Sequence, residues 1–271
     1  MRLLGTFLAL GAGLVFAQAQ PANREALWKQ VAAAEKKGLP KTAAAKLQLI
    51  YDSALRDGRH AEAIKALAKR ITHEGAVQGN KPEEKITRLQ AELEKTPNEA
   101  KPLLQTILGH WYWQYFRANR YRFLQRTATA QPLGDDFTTW DLPRLYREID
   151  LHFTNALADG RLKTIPTTDF GDLLTKPTLP EHYRPTLYDF IAHEALGFYS
   201  SGEFAAAKPE DAFEVRAGDP LLGPLDKFLA WQPQTTDTES PQFKAVRLYQ
   251  DVLRFHLDEA DSSARNDTDI L

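Results

Sequence analysis

The chain has 271 residues, with 34 lysines and arginines against 36 aspartates and glutamates, a formal net charge of −2, and no cysteine. That near balance of charge supplies no broad field to draw in nucleic acid or anionic lipid, so neither is expected as a partner. The missing cysteine excludes disulfides, a thiol nucleophile and a lipid-anchoring cysteine, and leaves stability to packing.

Residues 1–19 read as a secretory signal. Arg2 gives the positive start, Leu3 to Phe16 the apolar stretch, and Ala17-Gln18-Ala19 a small-x-small cleavage site. Cleavage leaves Gln20 as the new N-terminus, and the apolar stretch is short of the roughly 20 residues that a membrane span needs. The expected product is exported, periplasmic or extracellular, with no stable span after signal cleavage. About 250 residues then remain, enough for a real hydrophobic core.

Helical periodicity dominates the chain beyond residue 20, and the expected fold class is all-α. Residues 23–37 place Leu27, Val31 and Ala34 at helical spacing and end at Lys36-Lys37-Gly38, a basic last turn followed by a stop glycine. Residues 41–56 carry Ala43, Leu47, Ile50, Tyr51 and Ala54 on one face before Asp57-Gly58. Residues 60–73 carry Ala63, Ile64, Leu67 and Ile71. Gly38 to Leu47 and Gly58 to Leu67 repeat one glycine-to-leucine interval, which fits either a tetratricopeptide-like stack of helical hairpins or an irregular bundle with long Pro-rich loops. The hairpins, 20–75, and a larger bundle, 76–271, are expected to pack as one unit.

Residues 74–81 read as a loop, and Pro82 opens a helix to 95 whose acidic first turn suits the helix dipole. Thr96-Pro97 reads as the start of the longest helix, 97–126, with Pro102 one turn in, where it bends the helix or moves its start. Residues 130–139 are turn-rich, and Asp141 caps a helix ending near 158. Residues 161–184 read as an ordered loop with one short turn at 170–174, and Pro185 begins a helix to about 201. Within 203–240 only 225–231 reads as helix; a regular helix at 242–260 is followed by a polar run, 261–269. The chain stops at Ile270-Leu271 as an apolar pattern restarts, which suggests the front section of a longer polypeptide.

Two segments carry tempting chemistry. His193-Glu194 sits on a helix as in the His-Glu-x-x-His zinc motif, but four residues on stands Gly197, so the second ligand is missing and Asp189 one turn back needs partners from elsewhere. Packing is the simpler reading. The run from His110 to Phe123 interleaves aromatics with arginines, yet Leu104, Leu108, Trp111 and Tyr115 line one face and Ile107, Tyr112 and Phe116 the next, as in a central buried helix. His60, His73, His110, His152, His182 and His256 are scattered without ligand spacing, and Asp135-Asp136 and Asp169 with Asp172 suit caps and turns. No catalytic, cofactor-binding or metal-binding residue is therefore assigned, and no cofactor is expected.

Several segments nonetheless resemble the N-terminal region of the large bacterial alpha-2-macroglobulin-like proteins. They are Leu27-Trp28-Lys29-Gln30-Val31 through Lys37-Gly38-Leu39-Pro40-Lys41 to Ile50-Tyr51, then Asp169-Phe170-Gly171-Asp172-Leu173-Leu174, then Tyr183-Arg184-Pro185-Thr186-Leu187-Tyr188-Asp189-Phe190-Ile191-Ala192-His193, and finally Arg247-Leu248-Tyr249-Gln250 leading to Phe255-His256. The resemblance implies a protease-trapping system in which a cleaved bait lets macroglobulin domains close on the protease. The thioester Cys-x-Glu-Gln of many members has no counterpart here, and no functional residue carries over. The implied role is a non-catalytic helical scaffold of such an inhibitor, with proteins as partners: downstream macroglobulin domains, target proteases or envelope proteins. A stand-alone exported helical-repeat module that binds protein is the alternative, and an envelope enzyme a third.

Overall fold

Two corners set the geometry of the first three helices. In the computed structural model, which describes residues 24–79, 81–125, 134–171, 173, 180–202, 212–259 and 261–270, α1 (Arg24–Lys36), α2 (Pro40–Arg56) and α3 (His60–Val77) follow one another through three-residue turns. Gly38 and Gly58 sit at φ 65° and 67°, a left-handed conformation that glycine adopts without a Cβ penalty. The same pair of capping bonds forms at each. Gly38 N donates to Glu35 O and Leu39 N to Ala34 O at 3.0 and 2.9 Å, and Gly58 N donates to Leu55 O and Arg59 N to Ala54 O at 3.1 and 2.8 Å. Each next helix restarts identically, with Ala43 N on Leu39 O and Ala63 N on Arg59 O. The repeated interval in the sequence is thus a repeated corner.

The remaining helices are α4 (Pro82–Leu93), α5 (Lys101–Ala118), α6 (Arg120–Leu124), α7 (Leu142–Leu157), α8 (Leu187–Tyr199), α9 (Leu225–Ala230), α10 (Pro241–Phe255) and α11 (Ser263–Ile270), and no strand occurs among the described residues. The all-α class is as expected. Packing runs largely in chain order: α1 on α2, α2 on α3, α3 on α4, α4 on α5, α5 on α7, α7 on α8, α8 on α10 and α10 on α11. One hydrophobic cluster extends from Val31 to Val252, and a second joins Phe213, Phe228, Val246 and Leu253. Helix α5 is the thickest part of the first, burying Leu103, Leu104, Leu108, Tyr112, Tyr115 and Phe116. Gly109 lets α7 approach it, since a Cβ there would stand 3.2 Å from the Phe153 ring.

Several expectations need correction. Helix α3 continues to Val77, because Gly75 is itself buried in the packing rather than a stop. The long helix 97–126 is two helices: Pro102, lacking an N–H, sits in the first turn of α5, and Asn119 ends it by donating its side-chain Nδ2 to Tyr115 O at 2.9 Å. The helix after Pro185 begins at Leu187 instead, because Thr186 and Asp189 form a capping box and Leu187 N donates to Ile165 O at 2.9 Å, holding the chain extended beforehand. Among the described residues the loop 161–184 holds three short 3-10 turns, Gly160–Thr164, Thr167–Phe170 and Glu181–Tyr183. α10 ends at Phe255, and part of the polar run forms α11, whose Ala264 and Thr268, one turn apart, are buried. The signal reading at 1–19, and Asp172 and Leu174, lie outside the described residues.

No atom lies within 4 Å of a Cβ built at Gly58, so Gly58→Ala isolates the backbone term. It is expected to lower stability by about 1 kcal/mol, read from urea denaturation with an unchanged m-value.

Candidate functional site

A cavity of about 670 Å3 lies where α7, the end of α8 and α10 meet residues 212–221, with Pro143, Tyr146, Phe198, Phe213, Val246 and Tyr249 among its walls. It draws side chains from both hydrophobic clusters, so it marks the seam between them. Size and apolar walls are those of small-molecule pockets. Gly202 and Ala212 stand at its edge, and residues 203–211 between them lie outside the described residues. Its polar group is an internal network. Asp150 accepts from Tyr199 Oη at 2.7 Å and from Lys244 Nζ at 2.8 Å, and Lys244 also reaches Glu239 at 2.7 Å. Burial and then the Asp150 charge push the Tyr199 hydroxyl far up. Burial opposes the Lys244 charge, but bonds to Asp150 and Glu239 outweigh it and raise its pKa. Both groups hold their protons tightly at neutral pH, which suits a clamp between α7, α8 and α10 rather than proton transfer.

A second polar centre surrounds Asp189, which is wholly buried. Its Oδ2 accepts from Thr186 N at 2.9 Å and Thr186 Oγ1 at 2.8 Å, closing the capping box that starts α8. Its Oδ1 meets His256 Nε2 at 2.7 Å, and His256 Nδ1 meets Glu259 Oε2 at 2.6 Å. Both ring nitrogens can donate only if the imidazole is charged. Burial alone lowers the His256 pKa; the bonds and charges of Asp189 and Glu259 outweigh it and raise it above the ordinary value. Nearby, His193 donates Nδ1–H to Asp189 O at 2.8 Å and is lowered, chiefly by burial. Its Nε2 lies 3.4 Å from Asp267 of α11, which takes a 3.1 Å bond from Arg184.

A third centre lies between α5 and α7. His152 Nδ1 bonds Gln105 Oε1, its Nε2 stands 3.5 Å from Glu148 Oε1, and Tyr112 stacks on the imidazole at 5.6 Å and 17°. Burial drops His152 to about 4, and burial with the Glu148 charge drives the Tyr112 hydroxyl up. Glu148 is raised as well, mainly by burial.

The structure separates the zinc-like pair. His193 faces Asp267, whereas Glu194 turns to α5 and meets His110 Nδ1 at 3.1 Å. Among the described residues no three His, Cys, Asp or Glu side chains gather as metal ligands. Asp136 caps the Phe137–Thr139 turn, accepting from Thr138 N at 3.0 Å, and Asp169 is exposed. In the 110–123 segment Tyr112, Tyr115, Phe116 and Phe123 are buried, Trp111 and Trp113 are half-buried, and Tyr121 is exposed. The segment is core along most of its rings. The sequence reading named His152 but missed that Glu148 stands four residues before it on α7, and it missed the pairing of Asp189 with His256, which no local spacing reveals. Compared with protein-family models, curated proteins and solved structures, the chain matches none.

Replacing Asp189 by Asn leaves the His256 charge without its buried partner, with only the more exposed Glu259 remaining, and a loss of about 3 kcal/mol is expected. The pH response supplies a sign. Because the folded His256 pKa is raised, its contribution is complete below the unfolded value near 6.5 and fades as pH climbs through the folded value. Melting temperatures of the parent should therefore fall across that window more steeply than those of Asp189→Asn. Tyr199→Phe, which deletes one bond to Asp150, is expected to cost about 1 kcal/mol, measured by chemical denaturation.

Proposed function

We propose that this chain is a non-catalytic helical scaffold that binds protein, serving as the N-terminal part of an exported macroglobulin-like protease inhibitor. The observation that carries the scaffold reading is the chain-order stacking of the helices, the first three joined by matched glycine corners, an architecture whose use lies in extended surfaces that other proteins contact. The buried titratable groups around Asp189 and Asp150 support it, since each joins helix to helix. The macroglobulin part rests on the sequence resemblance. Two of its segments meet in space, 183–193 and 247–256, through the Asp189–His256 pair. The corner geometry also favours a stand-alone protein-binding module as a second reading.

Export is tested by intact mass of the protein from its source cell envelope, where a chain starting at Gln20 is expected and one retaining Met1 would count against export. Crosslinking at native expression, read by mass spectrometry, is expected to join surface lysines of the α1–α3 hairpins to a β-rich macroglobulin-like body. Crosslinks to a different defined protein would select the stand-alone module, and turnover in hydrolase screens of the purified chain would overturn the non-catalytic reading.

A further inference from the structure

We infer that the chain associates with a second copy of itself head to tail, the cationic corner between α1 and α2 of one copy seating on the acidic turn between α10 and α11 of the other. The near balance of charge over the whole chain conceals a polarity. Residues 24–79 hold 11 lysines and arginines against 6 aspartates and glutamates, whereas residues 201–271 hold 7 against 14. With histidines left out, the hairpins are +5, the last quarter is −7, and residues 80–200 between them are −1. Packing keeps the two blocks apart, since α3, α4, α5, α7 and α8 separate α2 from α10 in the main order of contact. Opposite charge held at two ends of one molecule steers a second copy into an approach that pairs unlike ends.

At the basic end Lys36, Lys37 and Lys41 flank Leu39, and all four are exposed, the leucine at 46 %. Gly38 in the left-handed conformation turns the chain there, so the last turn of α1 and the first turn of α2 share one corner. Among the described residues the three ammonium groups have no hydrogen bond or ion pair. The adjacent acid, Glu35, is already held by Lys69 at 2.9 Å and His73 at 2.7 Å. Lys36 and Lys37 suit the C-terminal end of α1, but Lys41 stands in the first turn of α2, where the helix dipole disfavours a cation.

The acidic end mirrors this arrangement. Leu257, 41 % exposed, stands beside Asp258, Glu259 and Asp261, all exposed, with Asp251 near the end of α10. The cations of this turn are already engaged: Arg254 meets Asp251 at 3.1 Å and Leu229 O at 2.7 Å, Arg265 donates to Leu257 O, and His256 lies buried between Asp189 and Glu259. Asp258 has no partner among the described residues, and it follows the C-terminal end of α10, where the dipole disfavours an anion. The stability of the single chain therefore accounts for neither Lys41 nor Asp258. Each patch sets an exposed leucine among charges of one sign, so joining them buries both leucines inside a rim of opposite charges, the make-up of a small, weak and salt-sensitive interface.

The test is sedimentation velocity of the purified full chain over a concentration series at about 0.01 M and about 1 M salt, between which the Debye length falls from about 30 Å to about 3 Å. Average mass is expected to rise above that of one chain with concentration at low salt, and the association to weaken roughly tenfold or more at high salt. Lys37→Glu with Lys41→Glu, and separately Asp251→Lys with Asp258→Lys, should each stay a single chain at low salt. Mixing the two variants should restore association, because each then meets copies of opposite sign at both ends. Leu257→Ser should weaken the parent's association several-fold. A parent of one-chain mass at every concentration in low salt would overturn the contact. So would reversed variants that associate as the parent does, or a mixture that stays monomeric while both components keep the parent's circular dichroism spectrum. If a reversed variant fails to fold, the salt series and Leu257→Ser decide the matter.

Discussion

Asp189 is wholly buried and both of its oxygens are committed, one to the start of its own helix and the other to His256 at the end of α10. An uncompensated carboxylate in that position would be costly by several kcal/mol, so the His256 charge and the two Thr186 donors are conditions of the fold rather than additions to it. The arrangement works in both directions. Asp189 keeps the imidazole charged, and the charged ring can then hold Glu259, just past α10, as well. Asp267 on α11 returns to Arg184, just ahead of the capping box. The second half of the molecule is thus closed by polar contacts reaching across 67 to 83 residues.

The first half is organised differently. Its corners are local devices, each made by a glycine in the left-handed region and by capping bonds within a few residues. Such a device is written in neighbouring letters, which is why Gly38 and Gly58 and the stripes after them are legible in the sequence. Helix α8 shows the limit. Pro185 has the character of a first helical residue, but Pro166 and Thr186 pair as an isolated bridge and hold that stretch extended. The polar run after 260 misleads for a related reason. α11 buries Ala264 and Thr268, too few apolar residues to register as a stripe, and is anchored instead by Asp267.

The same distinction divides the candidate sites. The buried character of Tyr112, Tyr115 and Phe116 follows from the width of the apolar face on α5. The separation of His193 from Glu194 does not show in the motif, although adjacent helical residues point about 100° apart and so serve different neighbours. The seam cavity is invisible in the sequence because its lining comes from α7, α8, α10 and the stretch 212–221, brought together only by tertiary packing.

The His256 and His152 rings also differ in completeness. Around His256 both ring nitrogens have partners, so the desolvation of the ring is compensated. Around His152 one nitrogen is satisfied by Gln105, while Nε2 and the neighbouring Tyr112 hydroxyl have no hydrogen-bond partner among the described residues. Each such group typically costs about 1–3 kcal/mol when buried, a large share of a marginal stability. Replacement of Tyr112 by Phe would relieve one of the two at no cost in packing, so the phenol stands at the seam at a price in stability.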